Sequence, residues 1–138
     1  MPTKTKLQIR VASLDDATVL QLLINTTFNR QDSGPIYKAY FQSPTITTLV
    51  GVLNDQIVGT GSVHILQKID RVFGQIEDVV VDPRFRYMGI GKKIIHQLID
   101  HSMTKQCYKI TLNSSKNNEA FYNKMGFIRE EIQMVKRL

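Results

Sequence analysis

The sequence predicts an α/β domain around a mixed central sheet flanked by helices, and three observations predict it. The β-branched run Val79-Val80-Val81 suits a buried strand and is stopped by Asp82-Pro83, because proline donates nothing to a ladder. After a glycine-containing turn, Ile90, Ile94, Ile95, Leu98, Ile99 and Met103 recur at helical spacing. A further apolar run at 108–112 then calls for a strand joined to its predecessor by a right-handed crossover, which makes that pair parallel.

Taken in order, Leu7, Ile9 and Val11 alternate as a first strand. Ser13 with Asp15 and Asp16 offers a helix cap and first-turn acids, and Ala17, Leu20, Leu23 and Ile24 give the apolar face of a helix ending near Thr26 to Asn29. Gln31 to Pro35 reads as a polar loop before a short helix carrying Tyr37, Tyr40 and Phe41, aromatics that suit packing. Pro44 closes it. Thr47 to Leu53 and Gln56 to Leu66 form a hairpin through Asn54-Asp55, and the charged turn Lys68 to Arg71 leads into a strand from Phe73 to Val81. A helix from Ile90 to Lys105, a strand from Tyr108 to Leu112, and a short helix holding Ala120, Phe121, Tyr122 and Met125 follow. Gly126 closes that helix, and Ile128 to Val135 are expected to supply the last strands.

At 138 residues the chain is expected to be one domain, 1–138, with a core that needs neither metal nor disulfide. No apolar run approaches the ~20 residues of a membrane span. Met1 to Lys6 lacks the apolar core of a secretory signal, so a soluble cytoplasmic protein without membrane attachment is expected. Cys107 reads as a structural thiol, and His64, His96 and His101 lack metal-ligand spacing, so no metal is expected.

The formal charge of +6 is unevenly distributed. Between Pro83 and Asn118 stand seven basic residues (Arg84, Arg86, Lys92, Lys93, Lys105, Lys109, Lys116) and one acid, Asp100, which leaves eleven of the 18 bases and eleven of the 12 acids for the rest of the chain. The excess therefore surrounds the glycine turn. Nucleic acid would call for aromatic stacking platforms or a basic helix face, so no nucleic-acid partner is expected. Cations around glycines at a helix start instead suit a ligand with several phosphates: free N–H groups point outward there, the helix dipole favours negative charge, and glycine admits close approach.

Neither Gly-x-Gly-x-x-Gly nor the P-loop pattern occurs. Arg86-x-x-Gly89-x-Gly91 directly after a Val-rich strand, with Asn118-Glu-Ala-Phe-Tyr122-Asn-Lys-Met-Gly126-Phe127 further on, resembles the GCN5-related N-acetyltransferases over nearly the whole chain. Gln75-Ile-Glu77-Asp78-Val-Val-Val81, Cys107-Tyr-Lys-Ile and the closing Glu131-Ile-Gln-Met134 resemble the eukaryotic glucosamine-6-phosphate N-acetyltransferases within that family.

The resemblance implies a single-domain acyl-CoA N-acyltransferase fold, acetyl-CoA as cosubstrate, an amino-sugar phosphate as acceptor and a homodimer with shared active sites. It implies that Val79, Val80 and Val81 meet the pantetheine arm through their backbone, with the N–H near Val79 at the oxyanion. Arg86, Tyr87, Met88, Gly89, Ile90, Gly91 and Lys92 would hold the pyrophosphate. Asn118 would bond the pantetheine and Tyr122 would protonate the departing sulfur. Glu77 and Asp78 would meet the sugar or its amine, their side chains expected on opposite faces of the strand. Lys68, Arg71, Arg137 and Thr26 are the candidates for the sugar phosphate.

The glucosamine-6-phosphate enzymes that it resembles have an aspartate where this sequence has Asn113, which can orient an amine but cannot take its proton. Water relayed through Glu77 or Asp78 could take it, or the acceptor is another amine: a protein lysine, an N-terminus or a polyamine. A non-catalytic acyl-CoA-binding or nucleic-acid-binding module is the remaining reading; Tyr122 together with Asn118 speaks against it.

Overall fold

In a computed structural model, which describes residues 6–30 and 38–138, five strands form one sheet in the order of the sequence. The expected loop from Gln31 to Pro35, Tyr37 and the first five residues lie outside the described residues. β1 (Gln8–Val11), β2 (Ile46–Leu53), β3 (Gln56–Gln67) and β4 (Val72–Val81) pair antiparallel in succession, and β5 (Ile110–Thr111) pairs parallel with β4. The parallel last pair is the one that the crossover required.

Between β1 and β2 run α1 (Ala17–Thr27) and the short α2 (Lys38–Gln42). The start of α1 is fixed by Asp16, which accepts the Ser13 N–H at 2.8 Å and the Arg10 guanidinium at 2.7 and 3.0 Å. The β2–β3 turn is Asn54-Asp55, both at positive φ (50° and 60°), as a type I′ hairpin needs.

α3 (Ile90–Thr104) is the crossover helix. Its buried Ile90, Ile94, Ile95 and Leu98 join Leu49, Leu53, Val58, Val63 and Ile76 in one core, each such side chain contributing about 1.5–3 kcal/mol of transfer free energy. α3 lies close to the sheet because glycines line its path. A Cβ on Gly59 would stand 2.9 Å from Ile90 Cγ2, and one on Gly61 would stand 2.9 Å from Ile94 Cγ2. α2 lies on the other face, where the Tyr40 ring meets that of His64 edge-on at 5.4 Å.

α4 (Glu119–Asn123) packs Tyr122 against the core together with Met125 and Phe127. The expected strands at Ile128 to Val135 do not form. The segment carries no strand pairing, and Ile128, Ile132 and Met134 are 75%, 87% and 87% exposed. β5 is likewise two residues rather than the five expected, because nothing among the described residues pairs with its outer edge. A strand needs a partner, and this tail has none among the described residues.

Candidate active site

The glycine loop leads from the end of β4 to a helix start whose first N–H groups are free among the described residues. β4 ends at Val81, and Asp82 caps the following 3-10 turn (Pro83–Phe85) by accepting the Arg84 N–H at 2.9 Å and pairing with its guanidinium at 2.8 Å. That pair holds the Asp82 carboxyl below the usual carboxylate range and commits Arg84. Arg86, Lys92 and Lys93 are exposed and make no ion pair among the described residues. Tyr87 (φ 64°) and Gly89 (φ 78°) turn the chain into α3, with Met88 between them exposed. Gly89 provides no side-chain cap, so the first N–H groups of α3, at Ile90, Gly91 and Lys92, keep no protein partner among the described residues. Apart from its chain neighbours, no described residue comes within 4 Å of the position a Gly89 Cβ would take, so the space beside Gly89 is open.

The second feature is the edge of β4. β5 pairs with Gly74 and Gln75 and then ends, so the backbone from Ile76 to Val81 is paired with β3 on one side and unpaired on the other among the described residues. An extended ligand could add there as a strand does. The strand is also bulged: Ser62 opposes Glu77 whereas Thr60 opposes Val80, leaving one extra residue on β4, and Asp78 adopts φ 55°.

The bulge corrects the expectation that Glu77 and Asp78 leave opposite faces. Val79 and Val81 return to the α3 side, where Val79 lies near Gly61 and Val81 near Gly91, while Val80 is buried. Glu77 accepts from Gln75 Nε2 at 3.2 Å, and Gln75 stands opposite His64. Asp78 accepts from the Tyr40 hydroxyl at 3.4 Å, and Tyr40 stacks on that same His64. Both carboxylates therefore face the α2 side of the sheet.

The third feature is a cavity of about 740 Å³ between β4, β5, α4 and the tail, lined among others by Lys68, Gln75, Lys109, Asn113 and Tyr122. The Tyr122 ring is fixed edge-on against Phe121 at 5.1 Å and Phe127 at 6.0 Å, and burial pushes its phenol above the ordinary tyrosine value. Asn118, at the start of α4, makes no side-chain cap and is exposed. At the rim, Arg71 lies over the Tyr108 ring at 4.0 Å, and Lys68 and Lys109 stand 5.6 and 5.5 Å from it. Three cations thus gather around one aromatic pair, Phe73 and Tyr108. Tyr108 is held below the ordinary tyrosine range by hydrogen bonding to Lys68, opposed by burial and aided by Lys109 and Arg71.

The sequence profile of the acetyltransferase (GNAT) family matches residues 17–127. The chain belongs to the GNAT acetyltransferase family. A glucosamine 6-phosphate N-acetyltransferase from Trypanosoma brucei brucei is 39% identical over 115 residues, 81% of this chain and 72% of that protein. One of the same name from Arabidopsis thaliana is 40% identical over 102 residues, 72% of this chain and 68% of its own. Among solved structures, an acetyltransferase from Trypanosoma brucei superposes with a TM-score of 0.83 at 33% identity, covering 96% of this chain and all of the other.

Within the GNAT fold the expected site residues divide by location. Glu77 to Val81 and Arg86 to Lys92 form a continuous run from the open strand edge to the helix start. Lys68, Asn113 and Tyr122 share the large cavity, and Arg71 adjoins it through Tyr108. Thr26 lies elsewhere, in a groove of about 400 Å³ between α1, the β2–β3 hairpin and Pro83-Arg84. Arg137 is exposed on the tail. Sequence reasoning missed Gln75, Thr111, Lys109 and Tyr40. Gln75 was findable, two residues before Glu77 on the same strand face, and it also accepts from the Thr111 hydroxyl. Among the described residues, no group of three or more His, Cys, Asp or Glu could hold a metal ion, and no helix is long and apolar enough to cross a membrane.

Proposed function

We infer that this chain transfers the acetyl group of acetyl-CoA to the amine of D-glucosamine 6-phosphate, by direct attack in a ternary complex. The observation that carries the transfer is the unpaired edge of β4 from Ile76 to Val81, running into the uncapped start of α3. The acceptor rests on the name shared by the Trypanosoma and Arabidopsis relatives.

The residues fit the cosubstrate. The exposed cations Arg86 and Lys92, with the free N–H groups of Ile90, Gly91 and Lys92, would take the pyrophosphate, and the exposed Tyr87 and Met88 would flank it. Backbone groups of Val79, Val80 and Val81 would hold the pantetheine arm, with the uncommitted Asn118 amide on its other side. When bound, acetyl-CoA supplies a thioester whose acyl carbon is the electrophile. The Val79 N–H would stabilise negative charge at its oxygen. Tyr122, its phenol kept protonated by burial, would deliver a proton to the departing sulfur.

The acceptor amine would be oriented by Glu77, Asp78 and Asn113, with its proton leaving through water to one of the two carboxylates. Lys68 and Arg71 would bind the sugar phosphate, joined by Arg137 from the tail. The apolar, exposed and unpartnered Ile128, Ile132 and Met134 support a homodimer in which the tail of one subunit finds its partner on the other.

The test is release of free thiol from acetyl-CoA with glucosamine 6-phosphate, glucosamine, spermidine and a lysine peptide as alternative acceptors. Release with the phosphorylated sugar alone is expected, and would also establish that Asn113 suffices. Release with another amine alone would keep the transfer and discard the acceptor. Tight coenzyme A binding with no release would overturn the enzymatic function.

A further inference from the structure

Tyr40 stands outside both the core of the fold and the roles proposed so far, and its hydroxyl faces polar groups. The ring is pinned: it meets Phe41 edge-on at 5.6 Å and His64 at 5.4 Å. Pinned that way, the hydroxyl projects over the sheet to Asp78 Oδ2, 3.4 Å away. Beneath lie Thr48 and Ser62, paired to each other at 2.8 Å and buried, whose hydroxyls also act on the phenol oxygen. Burial, with the Asp78 charge nearby, pushes the phenol up to about 12, so it stays a donor through the whole working pH range.

Asp78 needs such a partner. Its carboxylate sits on the bulge of β4, is exposed, and has no other hydrogen-bond donor among the described residues. An exposed carboxylate on an irregular strand has several rotamers of similar energy, and each unproductive one lowers the fraction of enzyme ready to receive an acceptor. We propose that Tyr40 is a positioning residue for the acceptor, its hydroxyl holding the Asp78 carboxylate turned toward the α2 side of the sheet, the side that Glu77 also faces. The separation of 3.4 Å is long for O–H···O, and such bonds in a site without ligand commonly tighten when substrate arrives. The proposal rests on the role given above to Asp78 in acceptor binding.

The decisive variant is Tyr40→Phe, which keeps the ring against Phe41 and His64 and removes only the hydroxyl. With whichever amine the acceptor panel identifies, KM for the acceptor should rise about tenfold, the lower end for a hydrogen bond to a charged group. KM for acetyl-CoA and the melting temperature should stay unchanged. Phe41→Leu is the packing control: it should lower the melting temperature while sparing the ratio of the two KM values. A second arm needs no acceptor. In protein labelled with 13C at the tyrosine ring carbon bearing oxygen, the resonance that Tyr40→Phe deletes should move in Asp78→Asn, and the other four should not. Wild-type kinetics in Tyr40→Phe, equal damage to both KM values, or a Tyr40 resonance indifferent to Asp78→Asn would each overturn the proposal. Failure of glucosamine 6-phosphate as acceptor would not, because both arms are read without it.

Discussion

Gly59→Ala joins the packing of α3 to the anion site proposed at its start. The added methyl would lie 2.9 Å from Ile90 Cγ2, 3.3 Å from Ile94 Cδ1 and 3.3 Å from the Val80 carbonyl oxygen. Ordinary carbon–carbon contact begins at about 3.5 Å, so Ile90 must retreat by about 0.6 Å. Its γ2 methyl is attached next to the backbone and the side chain is 2% exposed, so the first turn of α3 moves with it. Overpacking of this kind costs about 1–3 kcal/mol. For a chain of this size that lowers the melting temperature by roughly 3–12 °C. Because the free N–H groups of Ile90, Gly91 and Lys92 belong to the turn that moves, KM for acetyl-CoA should rise on the order of tenfold while KM for the acceptor stays level. Gly61→Ala serves as the comparison. Its methyl meets Ile94 Cγ2 at 2.9 Å, one turn further along, so it should destabilise comparably and disturb acetyl-CoA much less. Thermal melts with steady-state kinetics on both variants check this. Equal effects on KM from the two alanines, or a destabilised Gly59→Ala enzyme with unchanged KM for acetyl-CoA, would refute the link.

Tyr122→Phe should lower kcat on the order of 100-fold and leave acetyl-CoA affinity nearly unchanged, measured by kinetics and by titration calorimetry; unaltered turnover would remove the acid role. Asp16→Ala should cost about 1–2 kcal/mol at neutral pH in urea unfolding, since it strips the start of α1 of a partner for Ser13 and Arg10. Asp16 is held below its unfolded value of about 3.9, chiefly by Arg10, so its contribution is present above that pH. The gap between variant and wild type should therefore close only as the pH falls below about 4. Ile132→Glu should turn the proposed dimer into a monomer in light scattering at unchanged secondary structure; a persistent dimer would place the interface elsewhere, and a monomeric wild type would refute the dimer.

The elements set by local chemistry were legible in advance. Asn54-Asp55 announced the hairpin because few residues accept positive φ in succession, and the isoleucines of α3 announced the crossover by their spacing. The run from Val79 to Lys92 could be assigned because strand, turn and helix start are contiguous in sequence. What stayed hidden depends on long-range register. The bulge at Asp78 comes from how β4 meets β3, and no residue type near it signals an extra position. Tyr40 lies 38 positions before Asp78, so sequence alone read it as packing. The tail from Ile128 to Val135 has a strand's alternation, yet alternation states only that a strand is possible, and no described residue of the chain pairs with it.

The φ of 55° at Asp78 also limits which side chains evolution or an engineer can put there. Asparagine and aspartate accept that conformation several-fold more readily than other non-glycine residues, whereas most side chains pay about 1–2 kcal/mol. The familiar exchange of aspartate for glutamate, harmless at many acidic sites, therefore carries a backbone cost at this one before chemistry is consulted. Asp78→Asn keeps the turn and loses the charge; Asp78→Glu keeps the charge and strains the turn. At this position the geometry of one peptide unit and the role proposed for Asp78 call for the same short acid.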